Sequence, residues 1–338
     1  MAILKYILFF LLAVLLNGCY ENFNPRIDTK PVLCINALIT AGEKIKVDVS
    51  RTWMFDDKES ATKHEVNDVM IDIFANGERV GIDYLPKNGD IIQILANSTT
   101  YGNASAEVVV PELVPIADVR VFPALTSIWS GAENSSSNNK ELSVSFDLNV
   151  ELDVNDPIGV DNFYYFAFDE YCDNEISDMI DCQYKNITIG TFLYDLEPIF
   201  REHIGSFETI LGTDEVYSFS FFTDRQFPGK TYTLHLNFTN NVFNVVSDTL
   251  DDSLFDCGIN LYLASISQSY YNSSIYKWYL DEGITGDLAD IGLAESKWGY
   301  SNVSTGAGVV VAQSISKHTI SLKDFLNSII NNKLNKEQ

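Results

Sequence analysis

The stretch that decides the fold is ELSVSFDLNVELDV, residues 141–154, in which apolar and polar residues alternate. The apolar positions are Leu142, Val144, Phe146, Leu148, Val150 and Leu152. Successive side chains of a strand point to opposite faces of the sheet, so this alternation predicts a strand with one buried face and one face in water. TYTLHLNF, residues 231–238, shows the same alternation. We therefore expect a mainly β protein.

Toward the N-terminus, short β-rich segments continue the pattern. Residues 32–39 are apolar, and Ile45, Val47 and Val49 alternate with polar residues. The hairpin turn pair Asn76-Gly77 follows another alternating segment. About six short strands with turn residues between them, closed by prolines at 111 and 115, predict an N-terminal β-sandwich over residues 30–115.

Toward the C-terminus, the pattern predicts a larger β-domain over residues 116–318. FYYFAF, residues 163–168, is typical of a strand covered on both faces, and residues 270–279 are also interpreted as a strand. Residues 127–140 are rich in Ser and Asn and predict a surface loop. Apolar residues recur at helical spacing from Leu322 to Leu334, which predicts an amphipathic helix within residues 319–338. The fold prediction is two tandem β-sandwiches, immunoglobulin- or fibronectin-III-like, with a short C-terminal helix.

The N-terminal segment LKYILFFLLAVLLNGC, residues 4–19, has a positive start and an apolar run too short to cross a membrane. Its end, Leu16-Asn17-Gly18-Cys19, is typical of a bacterial lipoprotein signal. We expect a signal peptide over residues 1–18, a lipid on Cys19 and a tether over residues 19–29. Several acyl chains would make that membrane attachment permanent, because each buried CH₂ contributes roughly 0.8 kcal/mol.

The chain is strongly acidic. Its 338 residues carry 47 acidic and 22 basic side chains, a formal net charge of −25 at pH 7. The negative electrostatic potential of such a protein repels the phosphates of nucleic acid, so we exclude nucleic-acid partners. The acidity does not by itself identify a ligand.

Besides Cys19, the cysteines are Cys34, Cys172, Cys182 and Cys257, and four cysteines allow three pairings. Cys172 and Cys182 are ten residues apart and are the easiest local pair, which leaves Cys34 and Cys257. The alternative is that these cysteines are small buried hydrophobes.

Motifs for catalysis are missing from the sequence. It contains no G-x-S-x-G, no phosphate-binding loop, no G-x-G-x-x-G and no H-E-x-x-H. Two acidic segments, residues 153–156 and 248–256, could bind calcium, but their spacing differs from that of a calcium-binding loop and favours solvated turns. We predict no catalytic residue, no metal and no cofactor.

Three tryptophans in predicted loops, Trp53, Trp129 and Trp298, are candidates for a contact surface, whereas the aromatic residues of predicted strands are assigned to the core. Two short segments, Asp-Thr-Leu at 248–250 and Asp-Ser-Leu at 252–254, resemble the O-glycosylation motif of exported Bacteroidota proteins. They make Thr249 and Ser253 candidate modification sites.

The order of these features resembles one family of Bacteroidota outer-membrane lipoproteins, domain-of-unknown-function family 4249. The resemblance covers nearly the whole mature chain and rests on the lipobox and on segments such as PVLCINALIT, VMIDIFANGERVG, DPIGVDNFYYF, TDRQFPGKTYTL and GLAESKWGYSNVSTGAGVVVA. Ser296 stands where the family has proline, and Thr305 where it has glycine. The resemblance implies outer-membrane lipidation and company with TonB-dependent transporters, and it carries over no catalytic residue.

These features favour a non-catalytic outer-membrane lipoprotein, an accessory binding module for a TonB-dependent transporter in nutrient uptake. The alternatives are a structural or adhesive surface lipoprotein and, third, a hydrolase whose site is assembled from distant acids. We expect the lipid-anchored chain at the cell surface, with the periplasmic face as the other option.

Overall fold

Three β-sheets dominate the part of the chain that the computed structural model describes, which is residues 30–52, 66–132, 140–172, 184–201, 220–247, 256–281 and 299–334. The strands are β1 (Leu33–Thr40), β2 (Asp48–Arg51), β3 (Val69–Ala75), β4 (Glu78–Val80), β5 (Ile91–Ser98), β6 (Gly102–Val109), β7 (Ile116–Ala132), β8 (Lys140–Asn155), β9 (Phe163–Cys172), β10 (Tyr184–Thr188), β11 (Thr191–Phe192), β12 (Phe221–Thr223), β13 (Thr231–Ser247), β14 (Cys257–Ile266) and β15 (Val310–Ser321). The helices are α1 (Gln268–Asp281) and α2 (Lys323–Leu334), with short 3₁₀ turns at Tyr194–Leu196, Pro198–Arg201 and Asp224–Gln226. The mainly β class is confirmed, and Val32–Gln338 forms one compact unit.

The first sheet is built on the alternating strand that predicted the fold. Its order is β10-β13-β8-β7, with β11 added to β13. The even-numbered apolar residues of β8, from Leu142 to Val154, are all buried, as the alternation predicts. Strand β7 runs beside β8 as far as Ala132, so the loop predicted at residues 127–140 is a strand over its first six residues. Residues 133–139 of that loop lie outside the described ranges.

The second sheet joins the two ends of the chain. Its order is β12-β9-β14-β15-β1-β2, and β1 pairs in parallel with β15. The boundary predicted between residues 115 and 116 therefore does not separate the sheets, and the tandem arrangement of two sandwiches is not confirmed. The reason is long-range pairing between β1 and β15, which no local pattern in either segment reveals.

Glycines make the close approach to β1 possible. The Ile35 N–H donates to the carbonyl of Ala307 at 2.9 Å, and the Ala307 N–H donates to the carbonyl of Leu33 at 2.9 Å. Gly308 has a φ of +107°, and a Cβ there would lie 2.2 Å from the Ile35 carbonyl oxygen. A Cβ at Gly306 would likewise lie 2.5 Å from the Leu33 carbonyl oxygen.

The third sheet has the order β4-β3-β5-β6. The hairpin between β3 and β4 turns at Asn76 (φ 53°) and Gly77 (φ 82°), and two positive φ angles are what a two-residue turn of this kind requires. The predicted hairpin is confirmed.

Two hydrophobic cores share the six-stranded sheet. One contains Phe146 and Leu236 of the five-stranded sheet and Leu261 of β14, and the other contains Ile35 of β1 and Ile94 of β5. Strand β15 contributes Ile320 to the first core and Val310 and Ala312 to the second. These residues are an even number of positions apart and share one face of the strand, so two sheets pack against one face of the third, in the manner of a sandwich.

The strand predicted at residues 270–279 is wrong, because this segment belongs to α1. Ser267 caps the helix: its Oγ accepts the Tyr270 N–H at 3.3 Å, and its carbonyl accepts the Tyr271 N–H at 3.1 Å. Tyr271 packs on Ala264 and Ile266. The predicted C-terminal helix is confirmed as α2, although it begins at Lys323 because β15 continues to Ser321.

The disulfide predicted between Cys172 and Cys182 is wrong, because Cys172 pairs with Cys257. These two residues lie directly opposite each other at the ends of β9 and β14, with Cα atoms 4.1 Å apart. Directly opposed positions on neighbouring antiparallel strands bring the two Cβ atoms together, as a disulfide requires. Cys34 is a half-buried free thiol on β1, and Cys182 lies outside the described residues.

Candidate functional site

A groove of about 570 Å³ lies where the edge of the four-stranded sheet meets the six-stranded sheet. It is lined by residues 107–112 after and within β6, by Pro157 and residues 160–163 before and at β9, by residues 265–269 between β14 and α1, and by Gly89. Its volume falls in the range of ligand-binding pockets in proteins.

The first wall is the end of β6. Gly89 and Asp90 form a β-bulge opposite Val110, because the Gly89 N–H donates to the Val110 carbonyl and the Val110 N–H donates to the Asp90 carbonyl, both at 2.8 Å. Gly89 has a φ of +81°, as the first residue of such a bulge requires. The bulge ends the pairing and directs residues 110–112 along the groove.

Hydrogen bonds hold the Asp90 carboxylate of this bulge. It accepts from the Lys87 N–H at 2.8 Å, the Tyr84 hydroxyl at 2.7 Å and the Asn76 amide at 2.8 Å. Burial raises the pKa of Asp90, but these three hydrogen bonds outweigh it and hold the pKa below its ordinary value.

The second wall is the loop from Asp156 to Asn162. The Asp156 carboxylate accepts from the Tyr164 hydroxyl at 2.6 Å, the Asn162 amide at 3.1 Å and the Gly229 N–H at 2.7 Å. The buried Asp224 carboxylate accepts from the Asn162 N–H at 2.9 Å. Burial raises the pKa of Asp224, and the negative charges of Asp156 and Asp161 raise it further.

The third wall is the start of α1 and the end of β14. Ser265 Oγ accepts the Val114 N–H at 3.1 Å, which ties the segment after β6 to β14. Ser267 Oγ also accepts the Ala312 N–H at 3.1 Å, so the capping residue of α1 is fixed to β15. Hydrogen bonds across sheet and loop boundaries therefore tie the three walls of the groove to the neighbouring strands.

The groove is acidic at its rim and apolar between the acids. Glu107, Glu112 and Asp161 are exposed carboxylates, and the described lining includes no lysine, arginine or histidine. Val109 and Val160 are 52% and 62% exposed. This arrangement attracts cationic groups and offers apolar contact area, and its described lining offers no histidine or cysteine for nucleophilic catalysis.

No family model, curated protein or solved structure matches this chain. The family membership suggested by the sequence therefore stays a prediction.

Of the three candidate tryptophans, the structure describes Trp129 alone, and it places this residue on strand β7, not in a loop. Its side chain is 54% exposed, on the outer face of the sheet opposite Ser143, so the exposure expected of a contact residue is present. Trp53, Trp298, the predicted lipidation residue Cys19 and the modification candidates Thr249 and Ser253 lie outside the described residues.

The acidic segment at residues 153–156 serves the fold. Asp153 accepts hydrogen bonds from Arg120 at 3.0 Å and from Thr233 at 2.6 Å, while Asp156 holds the groove loop. Among the described residues no three His, Cys, Asp or Glu side chains group as metal ligands. No helix within the described ranges is long and apolar enough to cross a membrane.

Sequence reasoning missed Glu107, Val109, Glu112 and Asp161 as site residues. The signal in the sequence was the segment ASAEVVVPE, residues 104–112, which places a charge and an exposed valine on the outer face of an edge strand. Recognising β6 as an edge requires the order of the strands, which the sequence pattern does not reveal.

Proposed function

We propose that this protein is a non-catalytic lipoprotein of the outer membrane, an accessory binding module that works with a TonB-dependent transporter in nutrient uptake. The observation that carries the proposal is the open groove beside β6, whose acids and exposed valines are suited to holding another molecule. An apolar patch with a polar rim on a surface is characteristic of a binding site.

The lipobox supports the location. A lipid on Cys19 and the tether over residues 19–29 would hold Val32–Gln338 at the membrane for the life of the protein. We propose that the protein is displayed at the cell surface, with the periplasmic face as the alternative that protease treatment of intact cells distinguishes.

The test is affinity isolation of the tagged protein from membranes. We expect the wild-type protein to bring down an outer-membrane β-barrel, Cys19→Ser to leave the membrane fraction, and Val160→Arg to reach the membrane without the barrel. Ile82→Arg is the matched control, because Ile82 is 67% exposed and is not among the residues lining the groove. Wild-type isolates without a barrel, or equal yields from Val160→Arg and Ile82→Arg, would contradict the proposal.

A structural or adhesive surface protein is the second candidate, and strand β7 favours it. This 17-residue strand lies at the end of its sheet's order and exposes Phe122, Leu125 and Trp129 at about half of their surface (51%, 47% and 54%). Exposed apolar residues along an edge strand are suited to a contact with another surface. This function predicts unchanged nutrient uptake but weaker attachment in a deletion strain and in Trp129→Ser.

A further inference from the structure

Strand β6 leaves two backbone positions uncovered in the groove. It is the last strand of the order β4-β3-β5-β6, and Val110 exchanges hydrogen bonds with the bulge before β5. Paired and outward-facing positions alternate along an antiparallel strand, so Val108 bonds to β5 while Glu107 and Val109 direct their N–H and C=O groups away from it. Neither backbone has a hydrogen-bond partner in the part of the chain that the structure describes.

Two residues before Glu107, the same edge of β6 already forms backbone hydrogen bonds with another segment of the chain. Ser105, which has the same orientation as Glu107 and Val109, donates its N–H to the Ser304 carbonyl at 3.1 Å and accepts the Ser304 N–H at 2.7 Å. This bridge is isolated, so the pairing ends there. The outward edge therefore continues from a paired position into the groove.

The side chains along this edge indicate what could pair with it. Glu107 and Val109 lie on the same exposed face, and directly opposed residues of an added strand would contact them. A basic residue of the added strand would complement the negative charge of Glu107, and the carboxylates of Glu112 and Asp161 on the rim of the groove add to that charge. An apolar residue two positions along complements the exposed Val109.

We propose that a partner protein binds this groove as an extended basic segment, which adds a strand to the edge of β6 with a basic residue opposite Glu107 and an apolar residue opposite Val109. Strand addition of this kind takes its affinity from backbone hydrogen bonds and its specificity from alternate side chains. This inference deepens the proposed function and rests on it, because it names the chemistry of the partner segment.

The probe is the capped peptide Lys-Ser-Val-Ser-Lys, which presents the same side chains in either strand direction. It places Val opposite Val109 and a Lys opposite Glu107 and ends before Ser105, whose backbone already pairs with Ser304. The controls are the same peptide with Glu for Lys and the same peptide N-methylated at the residues that face β6. Titration of ¹⁵N-labelled protein should move the amide signals of Glu107 and Val109 and slow their hydrogen exchange. We expect the acidic and the N-methylated peptides to leave these signals unchanged.

Two variants separate the charge from the backbone. Glu107→Gln should weaken binding by about two- to fivefold, as expected for one exposed ion pair, while Glu78→Gln at the opposite edge of the same sheet should leave it unchanged. Val109→Pro removes an N–H that points away from β5 and should weaken binding about fivefold, whereas Val109→Thr keeps the N–H and should bind as the wild-type protein does.

The inference is overturned if the acidic or N-methylated peptide binds the wild-type protein as well as the basic peptide does, a comparison that needs no variant to fold. Self-association of the protein that competes with the peptide would also overturn it, since the occupant would then be a second copy. A barrel isolated with the wild-type protein but unaffected by Glu107→Gln and Val109→Pro would refute the strand addition alone. Peptide binding without any barrel would refute the transporter role alone.

Discussion

Breaking the Cys172–Cys257 bridge should cost this protein a large part of its stability. The two cysteines are 85 residues apart, and the loop-entropy relation for a closed loop of that length gives about 4.6 kcal/mol at 25 °C. A bridge between Cys172 and Cys182, ten residues apart, would contribute only about 2.7 kcal/mol by the same relation. Because whole domains are stable by roughly 5–15 kcal/mol, the loss is measurable against the total.

The assay is urea unfolding of the oxidised protein, followed by tyrosine and tryptophan fluorescence. Cys257→Ser should lower the free energy of unfolding by about 4 kcal/mol, while Cys182→Ser and Cys34→Ser should each lower it by no more than about 1 kcal/mol. Peptide mapping without reductant should recover Cys172 joined to Cys257. A mapped Cys172–Cys182 peptide, or a larger loss in Cys182→Ser than in Cys257→Ser, would refute the pairing.

Two further predictions concern the backbone and the buried acids. Gly308→Ala should lower the free energy of unfolding in urea by roughly 3 kcal/mol or more, because the added Cβ would meet the Ile35 carbonyl oxygen. Gly42 also has a positive φ but has no atom near its Cβ position, so Gly42→Ala should cost only about 1–2 kcal/mol. Equal losses in the two variants would refute the close approach at Gly308. The pKa of Asp224 is raised above its ordinary 3.8, so its charged form costs stability as pH rises, and Asp224→Asn should gain stability relative to wild type between pH 4 and pH 7. The pKa of Asp90 is lowered from 3.8, so its charged form adds stability that is present above pH 3.8 and is lost as pH falls through the lowered pKa. Asp90→Asn should therefore lose stability relative to wild type as pH rises from the lowered pKa to about 5, with little further change up to pH 7. If the stability difference between variant and wild type changed in the same direction with rising pH for both variants, the raised pKa of Asp224 and the lowered pKa of Asp90 could not both be correct.

Local pattern was enough to predict much of this fold. The alternation in β8 and β13 gave the buried and exposed faces correctly, and Asn76-Gly77 gave the hairpin. These features depend on residues close together in the chain. The helical spacing in residues 322–334 predicted α2 for the same reason.

Long-range contacts were beyond the sequence pattern. The parallel pairing of β1 with β15 and the Cys172–Cys257 bridge each join segments far apart in the chain, and neither segment shows its partner. The aromatic segment 270–279 is rich in tyrosine, which favours strands, but Ser267 caps a helix there and the sheet supplies the apolar surface for Tyr271 of that helix.

Thr305 adopts a backbone conformation that usually favours glycine. Its φ of 59° is unusual for a β-branched residue. Its hydroxyl donates to the Asn103 carbonyl at 2.7 Å, a contact that glycine cannot make and that fastens this loop to the start of β6.

Site-specific photocrosslinking in living cells tests most directly whether the groove beside β6 holds an outer-membrane partner. A photoreactive amino acid at Val109 should yield a covalent product with an outer-membrane β-barrel, and the product should disappear with Glu107→Lys. The same group at Ile82, which is at least as exposed as Val109 (67% against 52%) but lies outside the lining of the groove, should yield none. No product at Val109, or equal products at both positions, would contradict the account.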